Sequence, residues 1–176
     1  MSAQRTGVIA GKWTADPSAT EAQFRARDVL RRTVVGTLSV LSASVEVSAD
    51  GTPMHVAAVL DLASVATGST RRDADLRGPR FFDVQGDALL RMTAGPAQPG
   101  GSHRWLLAGE LTMKGTCCPL DITAELVDLD DGRAHVRATA VFDRRDAGIT
   151  VPRLLVGRAV AIEVDACLRA PESAES

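Results

Sequence analysis

The chain has 176 residues, of which 45% are hydrophobic and 24% are charged. This length and composition are typical of one globular domain with a substantial core. A formal net charge of −2 argues against a general affinity for nucleic acid or for an anionic membrane, because both partners attract an excess of positive charge.

The amino-terminal residues 1–11 are mostly small or polar and are predicted to be flexible. They contain no apolar run of the length that a secretory signal needs, and nowhere do roughly eighteen apolar residues run together, as a membrane-spanning helix requires. We therefore expect a cytoplasmic protein without an integral membrane segment. One folded domain is predicted over residues 12–169, followed by a flexible tail at residues 170–176.

Alternation of apolar and polar residues dominates the predicted domain, and in a strand this pattern sends successive side chains to opposite faces. The first strands are predicted near residues 22–27 and at 34–48, the second of them with a bend near Gly36 or Ser42. Further strands follow at 56–62, 88–94, 107–113, 120–126, 134–143 and 159–168. The sequence thus predicts about eight strands.

Short turn signals separate these strands, among them Asp50-Gly51, Lys114-Gly115 and Asp131-Gly132. Such short connections join neighbouring antiparallel strands. An antiparallel barrel of about eight strands closes its own edges and has room for one small or elongated ligand. A β-sandwich satisfies the same periodicity, so alternation alone does not choose between the two.

One segment, residues 70–84, does not follow the strand pattern. It contains four arginines, three aspartates and two of the four phenylalanines of the chain. Thr70 is predicted to cap a short helix around residues 70–78, which Gly78-Pro79 ends. We expect the apolar side chains to pack onto the barrel mouth and the charged ones to form ion pairs and caps; these are Leu76, Phe81 and Phe82, and Arg72, Asp73, Arg77 and Asp83.

No common catalytic signature occurs in the sequence: no nucleophile elbow, no phosphate-binding loop, no dinucleotide-binding glycine motif and no zinc-protease motif. The histidines lie in different predicted elements, so we expect no metal site. Cys117 and Cys118 are adjacent and Cys167 is far away. This spacing predicts reduced thiols, with a strained bridge between the neighbours as the alternative. No cofactor is expected.

A series of short motifs follows the order and spacing of a known family. The most specific block runs from Arg72-Asp73 through Leu76-Arg77 to Phe81-Phe82-Asp83-Val84. Supporting motifs are Trp13-Thr14-Ala15-Asp16-Pro17, Val65-Ala66-Thr67-Gly68, Leu111-Thr112-Met113-Lys114-Gly115 and Arg145-Asp146 with Gly148. On these residues the chain resembles the YceI family of lipocalin-like, polyisoprenoid-binding proteins, over about residues 12–168.

The resemblance implies an extended antiparallel barrel around a long apolar tunnel, often as a dimer. It also implies that the tunnel takes up an isoprenoid or another long-chain amphiphile, such as a fatty acid or fatty amide. We therefore expect a long-chain hydrophobic molecule and a second copy of the chain as partners. The residues expected to contact the ligand are Phe24, Leu38, Leu76, Phe81, Phe82, Arg91, Met113, Ile122, Phe142 and Ile162.

Three charged residues depart from the family pattern. Asp28 and Asp75 stand where family members usually have histidine, and Arg91 stands where an inward aromatic residue is expected. If Arg91 faces inward, it is expected to meet one of these carboxylates or an anionic ligand head, because an unpaired buried guanidinium is very costly.

These three residues also define an alternative to a carrier. In that alternative the protein is an enzyme, an isomerase or cyclase, and Asp28, Asp75 or Arg91 polarises a polyene, terpenoid or polyketide intermediate inside the barrel. A third hypothesis makes the chain an interaction module whose barrel is plugged by residues 70–84. The carrier hypothesis is favoured because the sequence contains no catalytic set.

Overall fold

The computed structural model describes residues 8–151 and 156–172. Those ranges contain ten β-strands, one α-helix (α1, Thr70–Arg77) and a short 3₁₀ turn (Pro17–Ala19). The strands are β1 (Gly11–Ala15), β2 (Glu21–Arg27), β3 (Thr33–Val47), β4 (Pro53–Ala66), β5 (Leu89–Ala94), β6 (Gln98–Pro99), β7 (Arg104–Met113), β8 (Thr116–Asp130), β9 (Arg133–Asp143) and β10 (Ala159–Arg169). The flexibility predicted for residues 1–7 and 173–176 concerns residues outside the described ranges.

Eight of the strands form a closed antiparallel barrel, which confirms the predicted barrel over the sandwich. The order around the wall is β2, β3, β4, β5, β7, β8, β9 and β10, and β10 pairs with both β9 and β2. The closing pair is long, from Ala159 opposite Asp143 to Arg169 opposite Arg133. In the described part of the chain each of these eight strands pairs with a neighbour on both sides, and the closed wall encloses the inward side chains. Within the described residues, no helix has the length and apolar character that crossing a membrane requires.

Strands β1 and β2 together occupy one position in the barrel wall. β1 pairs with β3 and β10 near one end of the barrel, and β2 pairs with the same two strands near the other. Between them the Asp16 carboxylate caps the 3₁₀ turn by accepting a hydrogen bond from the Ser18 N–H at 3.0 Å. The sequence predicted β2 but missed β1, because Gly11–Ala15 has only one large apolar residue, Trp13, and so shows no alternation. The two-residue β6 was missed as well.

A bulge in β3 changes which residues face the interior. Val40 and Ser42 pair with successive residues of β4, so Leu41 between them has no direct partner and its side chain is exposed. Before the bulge the buried positions of β3 are even-numbered, as at Val40. After it the inward positions are odd-numbered and end at the buried Val47. An extra residue of this kind bends a strand and increases its twist. The bulge lies next to Ser42, one of the two positions at which the sequence predicts a bend.

The alternating rows found in the sequence supply the barrel core. Each strand buries one set of alternate residues, and the opposite set lies on the outer surface. Buried members of these rows are Ala58, Leu60 and Leu62 in β4, Leu107, Leu111 and Met113 in β7, Leu120 and Ile122 in β8, Ala140 in β9, and Ile162, Val164, Ala166 and Leu168 in β10.

Helix α1 begins at Thr70, but its N-cap is Ser69, not Thr70 as predicted. The Ser69 hydroxyl oxygen accepts a hydrogen bond from the Arg72 N–H at 3.3 Å. Ser69 has the extended backbone that an N-cap needs, whereas Thr70 is already helical. Gly78 ends the helix as predicted, and its N–H donates to the Asp75 carbonyl at 3.0 Å.

The three cysteines are free thiols. Cys117 is exposed and its neighbour Cys118 is buried, because adjacent residues of β8 point to opposite faces of the wall. Burial raises the pKa of the Cys118 thiol, and the negative charges of Asp146 and Cys117 add to this effect. Cys118 is therefore a packing residue of the core.

Candidate functional site inside the barrel

Among the described residues, two cavities lie inside the barrel. The larger, which we call the Trp cavity, has a volume of about 130 Å³. Both tryptophans of the chain, Trp13 and Trp105, line it, and the remaining lining is almost wholly carbon. A ligand in this cavity would be held by burial of apolar surface and not by hydrogen bonds.

Small side chains create the Trp cavity. Its wall includes Ala58 on β4, Ala124 on β8, Ala138 and Ala140 on β9 and Ala166 on β10. The interior of an eight-stranded barrel is just wide enough for ordinary side chains to fill. Because alanine projects only one methyl group, a wall rich in alanine leaves volume unfilled.

The smaller cavity, which we call the helix cavity, has a volume of about 60 Å³. It lies under the segment that the sequence singled out, since Leu76 of α1 and the following Phe81 and Phe82 line it. Phe82 is buried and Phe81 is half-buried. The segment therefore covers one end of the barrel with apolar side chains, as expected.

A layer of leucines separates the two cavities. Along β4, Ala58 lines the Trp cavity and Leu62 lines the helix cavity, while Leu60 between them lines neither and is 0% exposed. In the same way Leu111 of β7 and Leu120 of β8 are buried and line neither cavity. Of the interior residues, Ile162 of β10 borders both cavities.

We call Leu60, Leu111 and Leu120 the leucine layer. It divides the interior, so the structure differs from the single long tunnel that the resemblance implied. The physical reason is volume: leucine is large enough to fill the middle of the barrel, whereas the alanines that would leave it open are concentrated at one end.

Phe24 of β2 forms the wall of the helix cavity by packing against a glycine. Phe24 and Gly36 are directly opposite in the β2–β3 pair, and a Cβ atom at Gly36 would lie only 2.3 Å from the phenyl ring. The ring also meets Phe82 edge to face, with centroids 6.2 Å apart and planes at 83°. Gly36 therefore provides the space that lets Phe24 contact the covering segment.

Arg77 ties α1 to the end of β4. Its Nε–H donates to the Ala63 carbonyl at 2.9 Å and its Nη2–H to the Val65 carbonyl at 3.2 Å. β5 pairs with β4 only up to Asp61, so the carbonyls beyond that residue lack a strand partner on that side. The Arg77 guanidinium donates hydrogen bonds to two of these carbonyls instead.

Arg72 and Asp73 fix the start of the helix to Thr67. The Arg72 guanidinium donates to the Thr67 hydroxyl at 2.8 Å and to its carbonyl at 2.9 Å. The Asp73 carboxylate accepts from the Thr67 N–H at 2.9 Å and from its hydroxyl at 2.5 Å. Ion pairs and caps were expected of the charged residues in this segment. Arg72 and Asp73 bind backbone atoms and a hydroxyl of Thr67, because the end of β4 presents them.

The structure brings most of the residues expected at the ligand to the two cavities. Ile122 lines the Trp cavity, Ile162 lines both, and Arg91 lines neither. The remaining expected residues line the helix cavity: Phe24, Leu38, Leu76, Phe81, Phe82, Met113 and Phe142.

The placement of Arg91 is a correction. It does share a face with Leu89, but that face is the outer one: Leu90 and Met92 are the buried residues of β5, and Arg91 is exposed. Its guanidinium pairs with Asp87 at 3.2 Å on the surface. Arg91 therefore has no place among the residues that line the cavities.

Asp28 and Asp75 also lie outside the cavities. The Asp28 carboxylate accepts hydrogen bonds from the N–H groups of Leu30 and Arg32, both at 2.9 Å, and pairs with the Arg32 guanidinium at 3.0 Å. The Arg32 N–H, foremost, and these other partners hold the pKa of Asp28 below its usual value. Asp75 is an exposed residue of α1. None of the three residues considered for the enzyme alternative thus lines either cavity.

Sequence reasoning missed Arg144, a buried cation in the wall of the helix cavity. Arg144 is 1% exposed. It lines the cavity together with Phe82 and Phe142. Burial lowers the pKa of Arg144, an effect that Asp143 opposes. A signal for this was available, since Arg144 continues the even-numbered inward row of β9 by one position. The inward row predicted from the sequence stops at Phe142, one position short of Arg144.

Two comparisons with known proteins agree with this architecture. The family model described as a YceI-like domain matches residues 13–168. This chain therefore belongs to the YceI family. No curated protein matches the chain at a significant level.

Solved structures with the same fold include two full-length matches at low identity. BcnA of Burkholderia cenocepacia is 14% identical, with a TM-score of 0.76 over 87% of this chain and 98% of that one. A polyisoprenoid-binding domain from Saccharophagus degradans, implicated in plant cell wall breakdown, is 16% identical, with a TM-score of 0.71 over 90% of this chain and 98% of that one. A mutant YceI protein of Campylobacter jejuni with a monobromobimane guest is 18% identical, with a TM-score of 0.69 over 78% and 85% of the two chains.

Proposed function

We propose that this protein binds and carries a long-chain apolar or amphiphilic molecule, such as an isoprenoid, a fatty acid or a fatty amide, inside the barrel. The observation that carries the proposal is the Trp cavity: an apolar space lined by two tryptophans within a closed wall. The Saccharophagus degradans neighbour, a polyisoprenoid-binding domain, supports the same class of ligand.

Apolar contact alone supplies enough binding energy for such a role. Each methylene group removed from water contributes about 0.8 kcal/mol, so about ten methylenes give several kcal/mol after the entropy of ordering the chain is subtracted. The walls need no catalytic or charged group for this. The location of Asp28, Asp75 and Arg91 on the outside is compatible with a carrier and removes the residues on which the isomerase or cyclase hypothesis was based.

The volumes indicate how a long ligand fits. A dry apolar cavity of roughly 150 Å³ accepts a benzene-sized molecule, and the Trp cavity, at about 130 Å³, is of this order. A ring or a short segment of chain fits without rearrangement. A longer chain reaches the helix cavity only if the leucine layer moves aside.

The direct test is to identify what the barrel contains. Protein purified under native conditions is extracted with organic solvent, and the extract is analysed by mass spectrometry. We expect a long-chain apolar species in stoichiometric amount. Delipidated protein is then titrated with candidate chains while tryptophan emission is followed, since both tryptophans line the cavity.

A saturable change in emission is expected for the wild type and a reduced change for Trp105→Phe. An empty barrel that also shows no change with isoprenoid alcohols, fatty acids or fatty amides would refute the proposal. A homodimer is proposed on the family resemblance, and light scattering of the purified chain tests it. The cytoplasmic location stays a prediction from the sequence, which fractionation of the source cells tests.

A further inference from the structure

We infer that the tip of the β2–β3 hairpin docks on the surface of a bilayer that contains anionic phospholipid. The surface involved, which we call the hairpin patch, combines exposed apolar side chains with exposed basic ones. Its members are Arg25, Arg27, Val29, Leu30, Arg31 and Val35. The inference stands apart from the proposed function, because docking of this kind does not require a ligand inside the barrel.

The apex of the hairpin carries two adjacent apolar side chains. Between the end of β2 and the start of β3, Val29 is 58% exposed and Leu30 is 65% exposed. Turn positions of this kind are ordinarily occupied by glycine, proline, asparagine, aspartate or serine. On the outer face of β3, Val35 lies opposite Arg25 and is 42% exposed. An apolar pair at the apex of a turn is well placed to enter the boundary between lipid head groups and acyl chains.

The turn that presents these side chains is held by its own hydrogen bonds. The Arg31 N–H donates to the Asp28 carbonyl, and the Asp28 N–H donates to the Arg32 carbonyl, each at 2.9 Å. The Asp28 carboxylate also accepts from the Leu30 N–H at 2.9 Å. Because the backbone around Val29 and Leu30 is fixed before docking, little loss of conformational entropy opposes it.

The charge around the apex is positive. Asp28 is the single acidic residue in residues 22–35, and its carboxylate pairs with the Arg32 guanidinium at 3.0 Å. Each basic group near an anionic membrane surface strengthens binding, and the attraction falls off within a Debye length. The net charge of −2 for the whole chain therefore does not describe this hairpin. Its other arginines are also exposed, namely Arg25, Arg27 and Arg31.

A carboxylate on the neighbouring part of the wall is already matched by arginine. The Gly157 N–H donates to the Arg27 carbonyl at 2.9 Å, so the segment that leads into β10 lies against the hairpin. Asp143 is opposite the start of β10. Its carboxylate pairs with Arg145 and with Arg158, each at 3.2 Å. Asp143 therefore does not offset the positive charge of the hairpin patch.

The hairpin lies at the same end of the barrel as α1. β3 starts at the hairpin and β4 returns antiparallel to it, with Ala66 at the end of β4 opposite Thr37, and α1 follows β4. The acidic turn between β8 and β9, with Asp130 and Asp131, lies at the opposite end. A barrel docked through the hairpin patch therefore has this acidic end in water, away from the lipid phosphates.

The test measures binding to vesicles that differ in charge. Delipidated protein is mixed with vesicles of phosphatidylcholine alone or of phosphatidylcholine and phosphatidylglycerol in equal parts, and the fraction that sediments with the vesicles gives the affinity. We expect at least about tenfold tighter binding to the mixed vesicles. Raising the ionic strength from about 0.1 M to about 1 M should abolish the difference, because the Debye length falls from about 10 Å to about 3 Å.

Two results would overturn the inference. Equal binding to both kinds of vesicle would show that the arginines do not recognise anionic lipid. Absence of binding to either kind would show that a bilayer is not the partner of the hairpin patch. Both results leave the proposed carrier function intact, since the solvent extraction of the purified protein tests that function separately.

Paired variants assign the binding to the hairpin patch. Leu30→Asp is expected to weaken binding to the mixed vesicles at least about tenfold, because a carboxylate at the apex is repelled by the head groups and does not enter the bilayer. Leu106→Asp is the matched control, because Leu106 is 48% exposed and lies near the start of β7, at the opposite end of the barrel. Equal losses in the two variants would contradict the assignment.

A second pair tests the charge alone. Arg31→Gln should weaken binding to the mixed vesicles about fivefold, whereas Arg133→Gln, an exposed arginine at the start of β9, should bind as the wild type does. An unchanged affinity in Arg31→Gln would contradict a role for the arginine. Tryptophan emission checks that each variant keeps its fold, because Trp13 and Trp105 line the cavity at the other end.

Discussion

At the scale of single residues, the contact between Phe24 and Gly36 shows how the absence of a side chain shapes the interior. The ring occupies the position that a Cβ at residue 36 would need. A glycine in a strand interior is ordinarily unfavourable, because it has no side chain to pack. Here it lets a large ring lie against the wall and reach Phe82.

Gly36→Ala is therefore expected to lower the free energy of unfolding by about 1–3 kcal/mol, the usual effect of forcing extra volume into a packed core. Urea unfolding measures the change. In a Phe24→Leu background the same substitution should be less destabilising, because the smaller side chain leaves room for the methyl group. An equal effect in both backgrounds would show that the ring and the glycine are not coupled.

Asp28 contributes to stability through its ionised carboxylate. Since hydrogen bonds from the Arg32 and Leu30 N–H groups lower its pKa in the folded state, its contribution is fully present above the unfolded value of about 3.9 and is lost as the pH falls through the lower folded value. Asp28→Asn should destabilise the protein at pH 7 and should flatten the decline in stability between pH 5 and pH 3. Urea midpoints at several pH values, compared with those of Asp75→Asn, test this; the exposed Asp75 is the control.

At the scale of elements, α1 is held more by its arginines than by its own propensity. It has eight residues, which is too short for a helix to be stable alone in water. Arg77 bonds it to the β4 carbonyls, and Arg72 and Asp73 bond its first turn to Thr67. The cover of the helix cavity therefore depends on these polar contacts.

Arg77→Gln is expected to loosen this cover without unfolding the barrel. Amide hydrogen exchange in residues 70–84 should become roughly tenfold faster, which corresponds to about 1.4 kcal/mol of local stability. Exchange in β9 should stay the same. Arg71→Gln is the control, since Arg71 is exposed and its side chain makes no hydrogen bond to the described residues. Faster exchange throughout the barrel would contradict a local role.

The strands were predictable from the sequence to a large extent. Their alternating rows are long, and each places its apolar residues on one face. The prediction was weakest in β5, where Leu89 and Leu90 are both apolar, so alternation fits either phase and Arg91 could be placed inside or outside. Only the pairing with the neighbouring strands fixes the phase.

The candidate site was less predictable than the strands. Leu60, Leu111 and Leu120 are far apart in sequence, on β4, β7 and β8, and only the folded barrel shows that all three are buried and line neither cavity. Sequence patterns indicate which residues face inward but not how high each lies in the barrel. The single tunnel was implied by the family resemblance, and the structure has two cavities instead.

At the scale of the whole molecule, the leucine layer determines how long a ligand the barrel accepts. Leu111→Ala should join the two cavities and should improve the binding of a chain of about sixteen carbons relative to one of about eight, as burial of more methylenes predicts. The variant should also lose about 2–5 kcal/mol of stability. Affinity as a function of chain length, measured through tryptophan emission, tests this prediction.

A matched substitution separates the change of shape from the loss of stability. Val65 is 1% exposed and lines neither cavity, so Val65→Ala should destabilise the protein while leaving the dependence on chain length unchanged. If Leu111→Ala behaves in the same way as Val65→Ala, the leucine layer does not limit ligand length.

The division of one wall position between β1 and β2 bears on how a molecule enters. On its β10 side, β1 is held by only two residue pairs, Thr14 with Arg169 and Ala15 with Leu168, whereas β2 has five such pairs. The end of the barrel that carries Trp13 is therefore held to β10 by fewer strand pairs than the end that β2 closes. Entry at that end would expose the tryptophan wall first and leave the cover formed by α1 closed.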